Sequence, residues 1–269
     1  MISLIKNLNV FNRIKFIDDD HVYLIDGVKS NGSITKVLSN CKSTFDSDKW
    51  SKHVANRDNK TQEIVLEEWK ANSNFSTQLG TLLHSYIENY WFNKIKKYDQ
   101  QLIIEKFGDS NHRQMRELLG GFIKSFHGFY KKHQHITPIR SELVVGDIDA
   151  SKVCGTIDLL AYNEEIDAFE IYDYKTNKKF TTSNSFREKY TNRHISHLDV
   201  CDLNSYSLQQ SLYKFIIEKY TDIKIANMYL VWFNREDTSC EKIQCKDLTE
   251  HCSDLLADHT VNPEVIVCK

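Results

Sequence analysis

The chain has 269 residues, of which 41% are hydrophobic and 12% aromatic, and its 35 basic and 37 acidic residues give a formal net charge of −2. This composition excludes a disordered chain, and the 2 prolines and 9 glycines exclude a proline-rich or glycine-rich linker. No apolar run approaches the roughly 18–20 residues that cross a bilayer. Because the 7 cysteines are scattered, we expect a globular protein of the reducing cytoplasm that does not enter a membrane. A net charge near zero, taken alone, argues against a nucleic-acid-binding protein.

The chain begins with a predicted hairpin and a short helix. Residues 21–30 alternate around Asp26-Gly27, a pair that is typical of a tight hairpin turn. Ser33 is predicted to cap the helix that follows it, because a serine side chain can accept from the free N–H groups of a first helical turn. Residues 45–70 show a looser helical pattern with many charges between the apolar positions.

Two stronger helices are predicted next. Apolar residues recur with helical spacing over residues 78–97 and again over 112–133. Pro138 is expected to end the helical stretch, and a strand is predicted over 142–145. The N-terminal half is therefore expected to be mainly helical.

The pattern then changes to strands. Residues 153–162 and 168–175 are mostly apolar and predict a hairpin. A polar, basic loop of about thirty residues follows, which is long enough to be either functional or partly helical. Residues 206–220 predict a helix, and the near-continuous apolar run 227–233 predicts a buried strand.

This order of elements predicts one mixed α/β domain in which helices flank a central mixed β-sheet. No boundary signal divides residues 1–269. We expect a mainly helical front over 1–135, a catalytic α/β core over 136–234 and an acidic C-terminal tail over 235–269.

Two acids and a lysine form the first candidate site. Asp173 and Lys175 are two residues apart on one strand, so their side chains point to the same face. Asp158 lies on the preceding strand and can meet them across the hairpin. Two converging carboxylates repel each other unless a cation neutralises them, and oxygen ligands suit Mg²⁺. A lysine beside such an ion can activate a water molecule for attack on a phosphodiester. The alternative is an ordinary strand-face ion pair.

Two pairs of helical residues extend this set. His84 and Glu88 are four residues apart on one polar helix face, and Gln209 and Tyr213 have the same spacing on a later helix. Each pair in isolation is typical of a solvated helix surface. Their order around the strand hairpin favours a shared site.

The ordered motifs Gly80-x-x-x-His84-x-x-x-Glu88, Gly155-x-x-Asp158, Asp173-Tyr-Lys-Thr and Gln209-x-x-x-Tyr213 resemble the RecB-type branch of the PD-(D/E)XK nucleases, which includes many phage exonucleases. The resemblance covers residues 21–234 and implies a restriction-endonuclease-like core. The proline that precedes the first acid in the family is replaced by Ile157.

The resemblance also implies a role for each matched residue. The metal ligands would be His84, Asp158, Asp173 and the backbone carbonyl of Tyr174. Lys175 would activate the attacking water, and Gln209 and Tyr213 would position the lysine or the scissile phosphate. Glu88 and Glu142 match acidic positions of the family, where a structural role is an equal alternative.

Local charge favours DNA as the substrate, because affinity for nucleic acids depends mainly on phosphate contacts. The segment 175–194 contains six lysines and arginines and one acid, and 111–140 has the same balance. Phe186 or Tyr190 could serve as a stacking platform. The candidate DNA-contacting residues are Lys178, Lys179, Arg187, Lys189 and Arg193. The alternative is that these segments are charged only because they are exposed.

Some RecB-type relatives carry an iron–sulfur cluster, with one cysteine before the histidine motif and three after the Gln/Tyr helix. Cys41 precedes the motif here, and Cys240, Cys245, Cys252 and Cys268 follow it. The usual closely spaced C-x-x-C pair is missing. We therefore expect free thiols rather than a cluster.

The sequence as a whole predicts a Mg²⁺- or Mn²⁺-dependent exonuclease that acts on single- or double-stranded DNA with a free end, in recombination, repair or phage genome processing. A recombination or replication protein would be its partner, and a phage-encoded protein would act in the bacterial host cytoplasm. The alternatives are a structure-specific endonuclease with the same site and a non-catalytic DNA-binding subunit.

Overall fold

The computed structural model describes residues 2–17, 22–93 and 112–261. The helices are α1 (Ile2–Asn7), α2 (Ile34–Asn40), α3 (Ser47–Asp58), α4 (Gln62–Asn93), α5 (His112–Lys132), α6 (Asp202–Tyr220) and α7 (Cys252–Val261), with 3-10 turns at Leu8–Arg13 and Thr249–His251. The strands are β1 (Ile14–Ile17), β2 (Val22–Ile25), β3 (Val28–Lys29), β4 (Gly32–Ser33), β5 (Ile136–Gly146), β6 (Val153–Asn163), β7 (Ala168–Lys175), β8 (Ile225–Phe233) and β9 (Cys240–Gln244). Within these ranges, no helix is long and apolar enough to cross a membrane.

The two local predictions near the N-terminus are confirmed over the residues described. Asp26 and Gly27 have φ angles of 50° and 82°, which form the turn of the β2–β3 hairpin. Ser33 Oγ accepts a hydrogen bond of 3.2 Å from the N–H of Lys36 and so caps α2.

The helical predictions were right in type but wrong in their boundaries. The pattern over 45–70 contains helix α3 and the start of α4, separated at Asn59, which adopts a left-handed conformation with φ 52°. Helix α4 then continues without a break into the helix predicted over 78–97, of which residues 94–97 lie outside the described ranges. No proline or glycine interrupts the polar stretch in between, so the helix has no reason to end there.

Strand β5 corrects a prediction about Pro138. The strand begins at Ile136, so the proline lies inside it rather than ahead of it. The pairing with β6 shifts register between Pro138 and Arg140. Among the described strands β5 pairs only with β6, and an edge strand with a bulge tolerates a residue that has no N–H.

The central sheet is mixed, as predicted. The strand order is β5-β6-β7-β8-β9, with β4 beside the start of β6. The pairs β5–β6, β6–β7 and β8–β9 are antiparallel, whereas β7–β8 and β4–β6 are parallel. Strands β1, β2 and β3 form a separate small antiparallel sheet.

Helices cover both faces of the central sheet, and alternate strand residues divide between two apolar clusters. On one face Ile171 and Leu230 pack with α2, α6 and α7. On the other face Tyr172 and Val231 pack with α4 and α5. The segment 176–201 between β7 and α6 consists of turns and one isolated bridge between Lys189 and Asp199. Helix α6 therefore starts at Asp202, earlier than predicted.

Candidate metal centre and active site

Strands β6 and β7 separate where the candidate acids lie. Their pairing ends with Leu159 opposite Tyr172. Strand β4 pairs with β6 at Val153 and Cys154, so none of the described strands pairs with residues 155–158 on that side. Asp158 stands at the end of this gap, where its Oδ2 accepts a 2.8 Å hydrogen bond from the N–H of Tyr174. The gap opens the sheet beside the acids without breaking the β5–β6 pairing.

Asp173 and Lys175 meet on one face of β7, as their two-residue spacing predicts. Lys175 Nζ lies 2.6 Å from Asp173 Oδ2 and 4.8 Å from the centre of the Tyr206 ring. Burial raises the pKa of Asp173 to about 6, although Lys175 opposes this shift. Burial by itself would lower the pKa of Lys175, but Asp173 and Asp158 more than offset it, and the pKa lies above its usual value.

Glu142 lies directly across the β5–β6 ladder from Asp158. Ser141 pairs with Leu159 and Leu143 with Ile157, which places the two acids opposite each other. Like charges in this arrangement are destabilising. Glu142 also has φ 45°, a left-handed backbone conformation that is strained for a residue with a side chain. Partial burial of the carboxyl group, followed by repulsion from Asp158, raises the pKa of Glu142 to about 7.

His84 projects from α4 onto the same cluster. Its Nε2 lies 2.8 Å from the carbonyl oxygen of Tyr174, and its Nδ1 lies 3.5 Å from Asp158 Oδ2. A carbonyl only accepts, so Nε2 must carry the proton in this hydrogen bond. In the neutral ring, Nδ1 then presents its lone pair to a carboxylate. Such an arrangement is favourable only when a proton or a cation lies between them.

These contacts test whether a divalent cation fits the site. One ligand atom from each of His84, Glu142 and Asp158 lies within 4.8 Å of the others. Asp173 Oδ2 is buried and makes no well-directed hydrogen bond within the described ranges, although Lys175 is close to it. Two oxygens and one imidazole nitrogen suit Mn²⁺ or Mg²⁺ with water completing the shell. The residues therefore fit a divalent ion.

The cluster differs in composition from the predicted ligand set. The structure brings Glu142 together with His84 and Asp158, whereas Asp173 contacts Lys175 and the Tyr174 carbonyl faces His84. Glu142 was named from the sequence as a matching acidic position with no assigned metal contact, and the β5–β6 register is what places it opposite Asp158.

The remaining helical candidates surround the cluster. Glu88 accepts a 3.0 Å hydrogen bond from Ser141 Oγ and so connects α4 to β5 beside Glu142. Gln209 Nε2 donates to the hydroxyl of Tyr213 over 3.1 Å. Tyr213 is buried against Gly155, where an added Cβ would lie 2.8 Å from its ring. Gly155 is therefore required for the close approach of α6 to β6.

The five predicted DNA-contacting residues fall into two groups. Lys178, Lys179 and Arg187 are exposed, and no described carboxylate forms an ion pair with them. In contrast, Lys189 lies 2.6 Å from Asp199 and Arg193 lies 3.6 Å from Asp258. These two ion pairs reduce the charge that the loop offers to a phosphate.

The two proposed stacking rings also differ. Phe186 is 92% exposed, which suits a stacking platform. Tyr190 is 2% exposed, and its hydroxyl hydrogen-bonds Ser205. The prediction for Tyr190 was wrong, because the loop folds back and uses this ring as core. The rings of α5 in the basic segment 111–140 are likewise core, as Phe122 and Phe126 are fully buried.

Four of the five cysteines considered for a cluster fall within the described residues, and Cys268 lies outside them. Cys41, Cys245 and Cys252 are buried free thiols, and Cys240 is partly buried. Burial raises the pKa of Cys41 to about 11 and that of Cys245 to about 12. These thiols are thus protonated at neutral pH and packed as small apolar side chains.

No family model matches this chain, and no curated protein matches it. Among solved structures, 18 chains match it. One of them is the crystal structure of SSO0001, which is 10% identical in sequence and has a TM-score of 0.31, covering 68% of this chain and 85% of that chain. A likeness at this level carries no argument about function.

Proposed function

We propose that this protein is a metal-dependent deoxyribonuclease with a restriction-endonuclease-like core of the RecB type. The observation that carries the proposal is the meeting of Asp158, Asp173 and Lys175 where β6 and β7 separate, with His84 beside them. A binding module has no need of mutually repelling acids around a partly buried lysine, so a catalytic function is favoured over a non-catalytic subunit.

The residues of the site would have separate roles in metal binding, substrate orientation and positioning of the lysine. When bound, a divalent ion supplies charge stabilisation and an acidified water. His84, Glu142 and Asp158 would hold it, and Asp173 would fix the position of Lys175 beside it. Lys175 Nζ orients the attacking water and the scissile phosphate, and the ring of Tyr206 holds the lysine in place. The Gln209–Tyr213 pair fixes the face of α6 that covers the site.

The exposed basic residues of the 176–201 loop follow directly after Lys175 and guide the strand to the cluster. Lys178, Lys179 and Arg187 meet phosphates, and Phe186 stacks on a base. We propose exonucleolytic digestion from a free DNA end, in recombination, repair or phage genome processing in the cytoplasm. A structure-specific endonuclease with the same site is the second candidate.

The test compares the purified protein with Asp173→Ala and Lys175→Ala on end-labelled linear duplex, single-stranded and covalently closed circular DNA, each with Mg²⁺, Mn²⁺ or EDTA. The matched control is Lys224→Ala, which removes an exposed lysine (75% exposed side chain) remote from the cluster. We expect metal-dependent loss of linear DNA, lowered about 100-fold or more by either site variant and unchanged by the control.

The outcomes separate the candidates. Digestion of linear but not circular DNA supports the exonuclease, and cutting of circles supports the endonuclease. DNA that is bound but never cut, with any metal, refutes both enzymes. Thermal unfolding of each variant shows whether a loss of activity reflects a loss of the folded state.

A further inference from the structure

A cavity of about 460 Å³ opens beside the candidate site, between α2, the segment that follows it and the start of α6. We call it the Phe45 cavity. Its wall includes Lys36, Lys42, Phe45, Ser205, Tyr206 and Gln209. The volume lies in the range of pockets that hold small ligands, about 300–1,000 Å³, and is far too small for a DNA duplex.

The Phe45 cavity adjoins the candidate active site. The ring of Tyr206, on the cavity wall, lies 4.8 Å from Lys175 Nζ. Gln209, also on the wall, donates to Tyr213. A ligand in the cavity would therefore lie next to the atoms proposed to contact the scissile phosphate.

The charge of the cavity is positive. Neither Lys36 nor Lys42 has a carboxylate oxygen within ion-pairing distance among the described residues. Lys42 Nζ donates a 2.9 Å hydrogen bond to Ser205 Oγ. The carboxylates of Asp202 and Glu188 lie beyond ion-pairing distance and affect the pKa of Lys42 only through longer-range electrostatic attraction. Burial lowers the pKa of Lys42, as expected for a partly buried ammonium group without a close counter-ion. Such a group favours the binding of an anion.

The rim of the cavity carries an unusual aromatic side chain. Phe45 is 63% exposed, although it is large and apolar. Its ring packs at 52° against Trp69, with 5.9 Å between the ring centres. This contact fixes the ring from one side and leaves most of it open. A fixed, exposed ring beside lysines is the combination with which proteins bind unpaired bases.

We propose that the Phe45 cavity binds one unpaired nucleotide of the DNA strand that is cut, next to the scissile phosphate, and that single-stranded DNA is therefore the preferred substrate. Lys36 and Lys42 contact its phosphate, and its base stacks on Phe45. A base inside a duplex is stacked on its neighbours and cannot reach the ring. This inference rests on the proposed nuclease function and goes beyond it by naming the form of the substrate.

The test measures binding and cutting separately. Fluorescence anisotropy with a labelled 20-residue oligo-dT and with a blunt 20-base-pair duplex, in Ca²⁺ buffer, gives the affinity of the protein, of Phe45→Ala and of Lys42→Met over a range of salt. The matched controls are Phe92→Ala, another exposed phenylalanine, and Lys15→Met, an exposed lysine of β1. Cutting of both DNAs is then measured in Mn²⁺. Phe45→Trp tests whether a larger ring preserves stacking.

We expect Phe45→Ala to weaken oligo-dT binding about 10-fold, the loss of one base stack, and to change duplex binding less than twofold. Phe45→Trp should keep the wild-type affinity. Lys42→Met should reduce the slope of log K against log salt by about 0.7, the value for one phosphate of a single strand. The control variants should have the affinities of the wild type.

Equal losses on both DNAs, or unchanged oligo-dT binding by both cavity variants, would overturn the inference. If the wild type cuts DNA while the cavity variants bind normally, only the cavity proposal fails. If oligo-dT binds through the cavity but no DNA is cut with any metal, only the nuclease proposal fails. If the wild type binds no DNA, both fail.

Discussion

Replacing Glu142 with glutamine tests whether the acidic cluster is arranged for a cation. The ligand atoms of Glu142 and Asp158 lie within 4.8 Å of each other. Two negative charges at that distance repel by about 0.9 kcal/mol at the dielectric constant of water and by about 3.5 kcal/mol at an effective value of 20. The Glu142 residue is exposed although its carboxyl group is partly buried, so solvent screens the repulsion and the value lies nearer the lower figure. In the metal-free protein, Glu142→Gln should therefore raise the free energy of unfolding by about 1 kcal/mol, or the Tm by about 2–4 °C.

The gain should depend on pH in a defined direction. The pKa of Glu142 is raised to about 7, whereas an unfolded chain gives a glutamate a pKa of about 4.3. Between these values the folded state binds more protons, so the carboxyl group destabilises the fold increasingly as the pH rises. The glutamine does not titrate. The advantage of Glu142→Gln should be absent near pH 4 and complete above about pH 7.

A bound metal ion should make the wild type more stable than Glu142→Gln, the reverse of their order without metal. An ion at 100 times its Kd stabilises the folded state by about 2.7 kcal/mol. The wild type should gain this amount in Mn²⁺, and Glu142→Gln should gain less because it has lost a charged ligand. The variant should thus be the more stable protein in EDTA and the less stable one in Mn²⁺.

Thermal and urea unfolding in EDTA and in Mn²⁺, at pH 4 and pH 8, measures all three effects. Glu67→Gln is the matched control, since Glu67 is an exposed acid of α4 outside the cluster, and it should behave as the wild type does. Two results would refute the reasoning: a Glu142→Gln protein no more stable than the wild type in EDTA, or equal stabilisation of both by Mn²⁺.

Three further substitutions test the surroundings of the site. Gly155→Ala should cost about 1–3 kcal/mol in urea unfolding and lower any nuclease activity, because the new Cβ would lie 2.8 Å from the ring of Tyr213. At Gly128 an added Cβ has no described atom within 4 Å, so Gly128→Ala should stabilise helix α5 by up to about 1 kcal/mol. Asp147→Asn should cost about 2 kcal/mol at pH 7, because buried Asp147 accepts from Lys219. Burial alone would raise the pKa of Asp147, but the hydrogen bonds from Lys219 and its other partners outweigh burial and hold the pKa below its usual value. The cost should therefore shrink as the pH falls below about 4.

Local chemistry made parts of the fold predictable. The Asp26-Gly27 turn and the Ser33 cap depend on backbone preferences within a few residues, and both are observed. The division of helix α4 was mistaken because a polar stretch without proline or glycine does not end a helix. Pro138 was misjudged for a different reason: whether a strand lies at a sheet edge is decided by residues far away in the chain.

In the candidate site, too, the contacts within one strand were predictable and the contacts between distant segments were not. The period of a strand was enough to place Asp173 and Lys175 together. The contact between His84 and the Tyr174 carbonyl joins residues 90 positions apart, and only the packing of α4 on the sheet produces it. Glu142 meets Asp158 through the register of β5, which is set beyond a shift at Pro138 that the sequence pattern does not show.

The net charge of −2 does not describe how charge is distributed around the candidate site, where some basic residues are paired and others are not. Lys189 and Arg193 are already paired with Asp199 and Asp258, so a count of basic residues overstates the charge open to DNA. Lys42 forms no ion pair with any described carboxylate, donates to Ser205 and lines the Phe45 cavity. The acids of the cluster carry negative charge that an ion would offset. If the proposed DNA substrate binds here, its affinity should depend on a few unpaired lysines and arginines and on a bound metal ion, and it should fall steeply with salt.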